Sequence, residues 1–178
     1  MQVAVDGPAS AGKSTVAKII AKKLSFVYID TGAMYRACTV IARNHNLDYG
    51  DEAGILKAID EDGIELRSED GEQKVYVAGK DVSKEIRTPE ISANVSQVSA
   101  LPKIREKMVS LQRQMAGKTN VIMDGRDIGT TVLPDAEVKI FLIASVASRA
   151  KRRFLDFQEK GIHQDLKDIE HDIEVRDY

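Results

Sequence analysis

Residues Gly7-Pro8-Ala9-Ser10-Ala11-Gly12-Lys13-Ser14 decide the fold, because they fit the P-loop pattern G-x-x-x-x-G-K-[ST] in the setting that the pattern requires. An apolar run, Val3-Ala4-Val5-Asp6, precedes the loop, and a helix-patterned segment follows it. Backbone N–H groups of such a loop surround a phosphate, and the positive end of the following helix adds to the attraction. Lys13 would neutralise the outer phosphates and Ser14 would bind Mg²⁺. We therefore expect a strand–loop–helix unit that binds nucleotide phosphate.

The order of apolar segments around this loop predicts an α/β fold with a parallel central sheet flanked by helices. Gln2 to Asp6 predicts a buried strand, Lys13 to Leu24 a helix, and Phe26 to Asp30 a second strand, with the next helix beginning at about Ala33. Two later apolar runs predict further central strands: Val121 to Asp124 and Val138 to Ala144.

A segment of different character interrupts this alternation. Ile64 to Arg67 and Lys74 to Val77 alternate apolar and polar residues around Asp70-Gly71, which predicts a small antiparallel hairpin with one solvated face. We expect residues 48–99 to form a lobe inserted beside the main sheet. A helix over Pro102 to Met115 would return the chain to the sheet.

Composition favours one soluble domain with small-molecule partners. The 178 residues are 43% hydrophobic and 30% charged, which suits a single domain with an inserted lobe. The formal net charge of -2 does not favour a broadly basic surface for a nucleic-acid polymer. The lone cysteine, Cys38, fits a reducing compartment, and its neighbours indicate a buried helix face. Since no apolar run approaches the about 18 residues of a membrane span, we expect a cytoplasmic protein without a membrane partner.

A second constellation, Asp30-Thr31-Gly32-Ala33-Met34-Tyr35-Arg36, is typical of an anion site. It places the hydroxyl of Thr31 at the end of a strand and Arg36 about one turn into a helix. Because arginine suits bidentate phosphate contacts, the pair could hold an acceptor phosphate near the P-loop. The alternative is that Thr31 merely caps a helix and Arg36 lies on the surface.

A third constellation is Asp124-Gly125-Arg126-Asp127-Ile128-Gly129. Asp124 ends an apolar strand as a Walker-B carboxylate does, where it can organise Mg²⁺ or its water ligands. Arg126 would then point toward the charge that develops on a transferred phosphoryl group. An ordinary turn rich in Asp and Gly is the alternative. The candidate catalytic residues are therefore Lys13, Arg126 and Asp124, and the candidate metal ligands are Ser14 and Asp124.

These stretches together resemble the bacterial cytidylate kinases over essentially the whole chain. The motifs that carry the resemblance are Gly7 to Thr15, Asp30 to Arg36, Ser96-Gln97-Val98, Ile104-Arg105-Glu106 and Asp124 to Thr130. The resemblance implies ATP-dependent phosphorylation of CMP and dCMP to CDP and dCDP by a monomer with the P-loop nucleoside monophosphate (NMP) kinase fold. It also implies a CORE over residues 1–47 and 100–148, an NMP-binding lobe over 48–99, and a LID within 149–178.

The family's site residues carry over to matching positions of this sequence. The resemblance implies that ATP and Mg²⁺ are bound through Gly7, Pro8, Ala9, Ser10, Ala11, Gly12, Lys13, Ser14, Thr15, Arg152 and Arg153. It implies that Thr31, Arg36 and Arg126 hold the acceptor phosphate, and that Ser96, Arg105 and Asp127 surround the base. Arg176 matches a LID arginine that reaches the bound nucleotides. For the arginines at 149, 152 and 153, a solvated helix face is the alternative.

The chemistry of cytosine fits the residues that the resemblance assigns to the base. Cytosine presents an N4 amino donor beside the N3 and O2 acceptors, which suits a carboxylate or hydroxyl acceptor and a cationic donor. Asp127 with Ser96, and Arg105, supply these groups. Uracil would place O4 against Asp127 and a proton against Arg105, so unpaired polar groups should make it the poorer substrate.

Other interpretations remain at this stage. A kinase for another nucleoside monophosphate or a small acid would use the same scaffold. A nucleotide-gated binding module or GTPase switch is disfavoured because the sequence contains no N-K-x-D guanine motif. Cytidylate kinases continue past the equivalent of Tyr178 with a segment that contacts ATP's adenine, so we expect part of the protein to lie outside this sequence. The preference between CMP and dCMP is left open.

Overall fold

The structure is a computed structural model that describes residues 1–177, without the side chain of Arg176. Helices and strands alternate along much of this part of the chain. In chain order the elements are β1 (Gln2–Asp6), α1 (Lys13–Leu24), β2 (Val27–Asp30), α2 (Thr31–Asn44), α3 (Glu52–Asp62), β3 (Ile64–Glu69), β4 (Glu72–Val77), β5 (Lys80–Asp81), α4 (Pro89–Ser99), α5 (Pro102–Ala116), β6 (Val121–Gly125), β7 (Val138–Phe141), α6 (Val146–Glu159) and α7 (Leu166–Asp177). Short helical turns at Glu85–Arg87 and Ile128–Val132 lie in the connections. Within residues 1–177, no helix is both long and apolar enough to cross a membrane.

The main sheet confirms the predicted α/β fold class. Its strands lie in the order β2-β6-β1-β7, and every neighbouring pair is parallel. The register aligns Asp30 with Asp124 and Asp6 with Gly125. Because parallel strands end at the same edge, the residues that follow β1, β2 and β6 meet there.

Helices cover both faces of this sheet. On one face Ala17 and Ala21 of α1 pack against Val3, Val5 and Ile122. On the other face α2 is buried along most of its length and belongs to the larger core, together with α3, α4, α5 and the hairpin strands. Cys38 is fully buried there, as predicted, with its sulfur 3.5 Å from that of Met108, and burial raises the pKa of its thiol to about 12.

The segment over residues 48–99 contains the predicted antiparallel hairpin together with a third strand and two helices. β3 pairs with β4 in the register Ile64–Val77 to Glu69–Glu72, and the turn lies at Asp70-Gly71 as expected. A third short strand, β5, pairs with β4, and helices α3 and α4 flank the hairpin. The sequence pattern predicted neither these helices nor β5.

Two element boundaries differ from the prediction for local reasons. Helix α2 begins at Thr31, two residues earlier than expected, because the Asp30 carboxylate accepts a hydrogen bond from the Ala33 N–H at 3.0 Å and caps the helix. The alternative considered above, in which Thr31 merely caps this helix, is therefore wrong. Strand β7 ends at Phe141, three residues early, because its neighbour β1 ends at Asp6; the Leu142 N–H donates to the Asp6 carbonyl at 2.7 Å as the last ladder bond.

The C-terminal helices form a small unit of their own. Ala150 of α6 packs with Ile169 and Ile173 of α7 in a separate apolar cluster. The buried Arg149 guanidinium makes a two-pronged ion pair with Asp177, which joins the two helices. This unit contacts the P-loop through two arginines that are described below.

Candidate active site

The P-loop connects β1 to α1 with the backbone shape that an anion cradle needs. Gly7 has a φ of 146°, and a Cβ at this position would lie 2.2 Å from the Leu142 carbonyl oxygen, so only glycine fits. The residue before α1, Gly12, offers no side-chain acceptor to the first N–H groups of the helix. Those donors, together with the helix dipole, suit a phosphate. The Lys13 ammonium donates to the Pro8 carbonyl at 2.8 Å and so stays over the loop.

Carboxylates converge beside this loop at the ends of β2 and β6. Asp124 is 5% exposed and lies next to Asp30 in the strand register. Burial, followed by the negative charge of Asp30, raises the pKa of the Asp124 carboxyl to about 7 against the opposing charge of Lys13. Burial in turn lowers the pKa of Lys13, against the charge of Asp124, and the nearby cation of Arg126 lowers it further. Such a charge cluster at a strand edge is typical of phosphate and metal chemistry.

The predicted acceptor-phosphate residues lie on the same edge. The Thr31 hydroxyl is buried and donates to the Asp124 carbonyl at 2.8 Å, which ties the start of α2 to the end of β6. Arg36, one turn further, donates from Nη1 to the Ile86 carbonyl at 3.1 Å and to the Ser92 hydroxyl at 2.7 Å. Arg36 therefore links α2 to the inserted segment. Arg126 follows β6 and is exposed.

The structure brings together two of the three residues predicted to surround the base. The Arg105 guanidinium on α5 pairs with the Asp127 carboxylate at 2.5 Å, and both side chains are roughly a third exposed, at 39% and 34%. Arg105 also lies 5.9 Å from the ring centre of Tyr35, which gives the pair an aromatic neighbour on α2. Ser96 lies exposed on α4, and none of its described contacts reaches Arg105 or Asp127.

The arginines of α6 approach the P-loop from the other side. Arg152 donates to the Ala11 carbonyl at 2.8 Å, and Arg149 donates to the Ala9 carbonyl at 3.4 Å. Arg149 is 3% exposed and also donates hydrogen bonds to the Ala144 carbonyl and the Asp177 carboxylate. It is therefore buried between these groups and does not lie on a solvated helix face, which was the alternative. Arg153 lies 5.3 Å from the ring centre of Phe157. The side chain of Arg176 lies outside the described part of the chain.

Two residues of this edge were missed by the sequence-based prediction. The Asp6 carboxylate accepts hydrogen bonds from the backbone N–H groups of Ile128 and Gly129, both at 2.8 Å. The Tyr28 hydroxyl donates to Asp124 Oδ1 at 3.2 Å, and burial is the main cause that raises the pKa of this phenol. A carboxylate at the end of β1 was a usable signal for Asp6. Tyr28 offered none, since an aromatic residue in a strand is ordinary.

Comparison with known proteins agrees with this geometry. The model of the cytidylate kinase family matches residues 3–178. The chain belongs to the cytidylate kinase family. It is 82% identical over 178 residues to the cytidylate kinase of Lactobacillus johnsonii, and the alignment spans 100% of this chain and 77% of that protein. It is 54% identical to the cytidylate kinase of Streptococcus gordonii over 100% of this chain and 80% of that protein, and 54% identical to that of Bacillus licheniformis over 98% and 78%.

Membership of the cytidylate kinase family makes the protein a nucleoside monophosphate kinase. Such a kinase needs a nucleotide phosphoryl donor and a small nucleotide acceptor. At the strand edge, the P-loop, the buried Asp124 and the arginines at 36 and 126 lie on neighbouring elements.

Proposed function

We propose that the protein transfers the γ-phosphoryl group of ATP directly to CMP or dCMP, giving CDP or dCDP and ADP. The single observation that carries this proposal is the arrangement of residues 124–127 at the end of β6. Asp124 lies beside the P-loop, and three residues later Asp127 pairs with Arg105. One short segment thus joins groups suited to phosphate transfer with a carboxylate–guanidinium pair suited to cytosine.

Donor binding is assigned to Gly7, Pro8, Ala9, Ser10, Ala11, Gly12, Lys13, Ser14 and Thr15, with Arg152 and Arg153 from α6. Lys13 bridges the phosphates of ATP, and Arg152 of α6 contacts the same loop by donating to the Ala11 carbonyl. The exposed Ser14 hydroxyl and the Asp124 carboxylate supply the hard oxygen ligands that Mg²⁺ prefers, and the two adjoining carboxylates of Asp124 and Asp30 suit a cation. When bound there, Mg²⁺ would neutralise the phosphate charge.

Acceptor binding is assigned to Thr31, Arg36 and Arg126 at the phosphate and to Ser96, Arg105 and Asp127 at the base, with Arg176 as a further contact. A phosphate oxygen of CMP forms a bond to the γ-phosphorus while the bond from that phosphorus to the β–γ bridging oxygen breaks. Positioning and charge neutralisation do the chemistry, so no covalent enzyme intermediate is needed. Lys13 and Arg126 stabilise the charge of the transferred group. Arg36 holds the CMP phosphate so that its attacking oxygen is in line with the bond that breaks.

These assignments divide the chain into the three parts of an NMP kinase. We assign residues 1–47 and 100–148 to a CORE, 48–99 to the NMP-binding lobe and 149–178 to the LID. Closure of the lobe and LID would exclude water, which would otherwise accept the phosphoryl group. The net charge of -2 does not favour a nucleic-acid polymer as partner, and the lone Cys38 fits the reducing cytoplasm. The resemblance to the family supports a monomer without a membrane partner.

An assay that separates and quantifies the nucleoside diphosphates formed from donor and acceptor tests the proposal. ATP and GTP are compared as donors across CMP, dCMP, UMP, AMP and GMP, with and without Mg²⁺. We expect CMP and dCMP to be the best acceptors, with ATP as donor and a requirement for Mg²⁺. Asp127→Asn should lower the ratio of kcat/KM for CMP over UMP by about tenfold, because the charged acceptor for the N4 amino group is lost and the amide NH2 group can donate to O4 of uracil. Asp135→Asn, which removes an exposed carboxylate elsewhere, should leave the ratio unchanged.

Several results would contradict the proposal. A better acceptor among the other nucleotides would make the protein a kinase of different specificity. Tight GTP binding without transfer to any acceptor would favour a nucleotide-gated module. An unchanged CMP to UMP ratio in Asp127→Asn would remove Asp127 from base recognition while leaving the kinase activity in place.

A further inference from the structure

Asp6 has no role in the binding and transfer steps proposed above, yet it contacts the loop that carries Arg126 and Asp127. It is the last residue of β1, directly before the P-loop, and is 7% exposed. Its Oδ1 accepts from the Ile128 N–H and its Oδ2 from the Gly129 N–H, each at 2.8 Å. A buried carboxylate with both oxygens bonded to backbone donors holds those donors in place.

The partners of Asp6 are the first N–H groups of a helical turn, Ile128–Val132, whose cap residue is Asp127. An aspartate in that position ordinarily turns its own side chain inward to accept from the N–H of the second or third residue of the turn, here Gly129 or Thr130. Asp127 makes no such bond, and its carboxylate pairs instead with Arg105 at 2.5 Å. Asp6 therefore supplies the acceptor for the Gly129 N–H that Asp127 would otherwise supply.

We propose that Asp6 is a positioning residue for base recognition: by capping the turn at Ile128 and Gly129, it frees the Asp127 carboxylate to face Arg105 and the base. The inference rests on the proposed role of Asp127. It also explains why a carboxylate is placed at the end of β1, where the P-loop itself needs none. Without Asp6, the orphaned Gly129 N–H would draw Asp127 inward and away from the acceptor site.

The test measures kcat/KM for CMP and UMP in Asp6→Asn, Asp127→Asn and the double variant. We expect Asp6→Asn to lower the CMP to UMP ratio by about tenfold, and to add almost nothing in the Asp127→Asn background, because both changes remove the same carboxylate from the base. The charge of Asp6 also raises the pKa of Lys13. An effect of Asp6→Asn on Lys13 would alter kcat for CMP and UMP alike and would leave their ratio unchanged. Asp51→Asn is the matched control, since Asp51 caps α3 by accepting from the Gly54 N–H at 3.0 Å.

Gly129→Ala provides a second route that leaves the charge of Asp6 intact. A Cβ at Gly129 would lie 3.3 Å from Asp6 Oδ2 and 3.2 Å from Lys139 Cδ, so it crowds the same bond. This variant should also lower the ratio, and it decides the test if Asp6→Asn does not fold. An unchanged ratio in the folded variants, or a loss that adds fully to that of Asp127→Asn, overturns the inference. If Asp127→Asn itself leaves the ratio unchanged, the proposed role of Asp127 fails and the inference fails with it; a changed ratio there with none in Asp6→Asn refutes the inference alone.

Discussion

Replacing Asp124 by asparagine should stabilise the ligand-free protein and at the same time impair phosphoryl transfer. The carboxylate is buried beside Asp30, and burial followed by that neighbouring charge raises its pKa from 3.8 to about 7. Asparagine keeps the shape of the side chain and an Oδ1 that can accept from the Tyr28 hydroxyl, as Asp124 does at 3.2 Å. It cannot become negative, so it removes the unfavourable charge and the metal ligand together.

The size and the sign of the effect follow from proton binding. Between about pH 4 and pH 7 the folded protein holds a proton on Asp124 that the unfolded chain has already released, so raising the pH through this window favours unfolding. Each tenfold change in proton affinity corresponds to about 1.4 kcal/mol, and the rise from 3.8 to about 7 spans about three such factors. The ionised carboxylate should therefore cost the fold on the order of 4 kcal/mol above pH 7, and almost nothing below about pH 4.

Urea unfolding of the wild type and Asp124→Asn across about pH 5 to 9 measures this difference. The variant's advantage in free energy of unfolding should grow with pH and level off above about pH 7. The exposed Asp135→Asn provides the control for loss of a charge, and should show no such rise. An Asp124→Asn variant that is less stable than wild type at about pH 9, or a difference that does not change with pH, would refute the reasoning.

Two further changes address transfer and the loop. Arg126→Ala should lower kcat by roughly 10²–10³, the scale for removing one transition-state donor, and near-normal turnover in a folded variant would exclude that role. Gly7→Ala should destabilise the fold by at least about 2 kcal/mol in urea unfolding and weaken ATP binding, because its Cβ would meet the Leu142 oxygen at 2.2 Å and its φ is 146°; unchanged stability and affinity would show that the loop tolerates a side chain there.

The main sheet could be predicted from sequence because its strands are continuous apolar runs that end in polar residues. Val3 to Val5 and Val121 to Met123 are buried on both faces, so each run is apolar throughout and easily seen. The P-loop pattern then indicated which end of the sheet carries the site. Within the lobe, the hairpin was visible because its two strands alternate around Asp70-Gly71.

The parts that sequence could not predict depend on partners distant in the chain. Helix α4 buries only Ile91 and Val98 and is otherwise rich in small polar residues, so its helical periodicity is faint. β5 has two residues and exists only because β4 offers an edge. The bond from Asp6 to Ile128 spans 122 positions, and no local pattern marks it. Pairing across such distances is set by the sheet order, which becomes known only when the strands are placed.

The pair formed by Arg105 and Asp127 lies, in the function proposed above, where the base of the acceptor would bind. Both side chains are roughly a third exposed, and an ion pair of that exposure contributes on the order of 1 kcal/mol or less to stability. A cytosine base that inserts between the two groups would replace this bond with hydrogen bonds to both, in a setting from which lobe closure excludes water. The exchange should therefore favour binding for a base that satisfies both groups. A uracil base would break the same pair and leave its members facing groups of the wrong kind, so the selectivity arises from the cost of the poor exchange rather than from the pair itself.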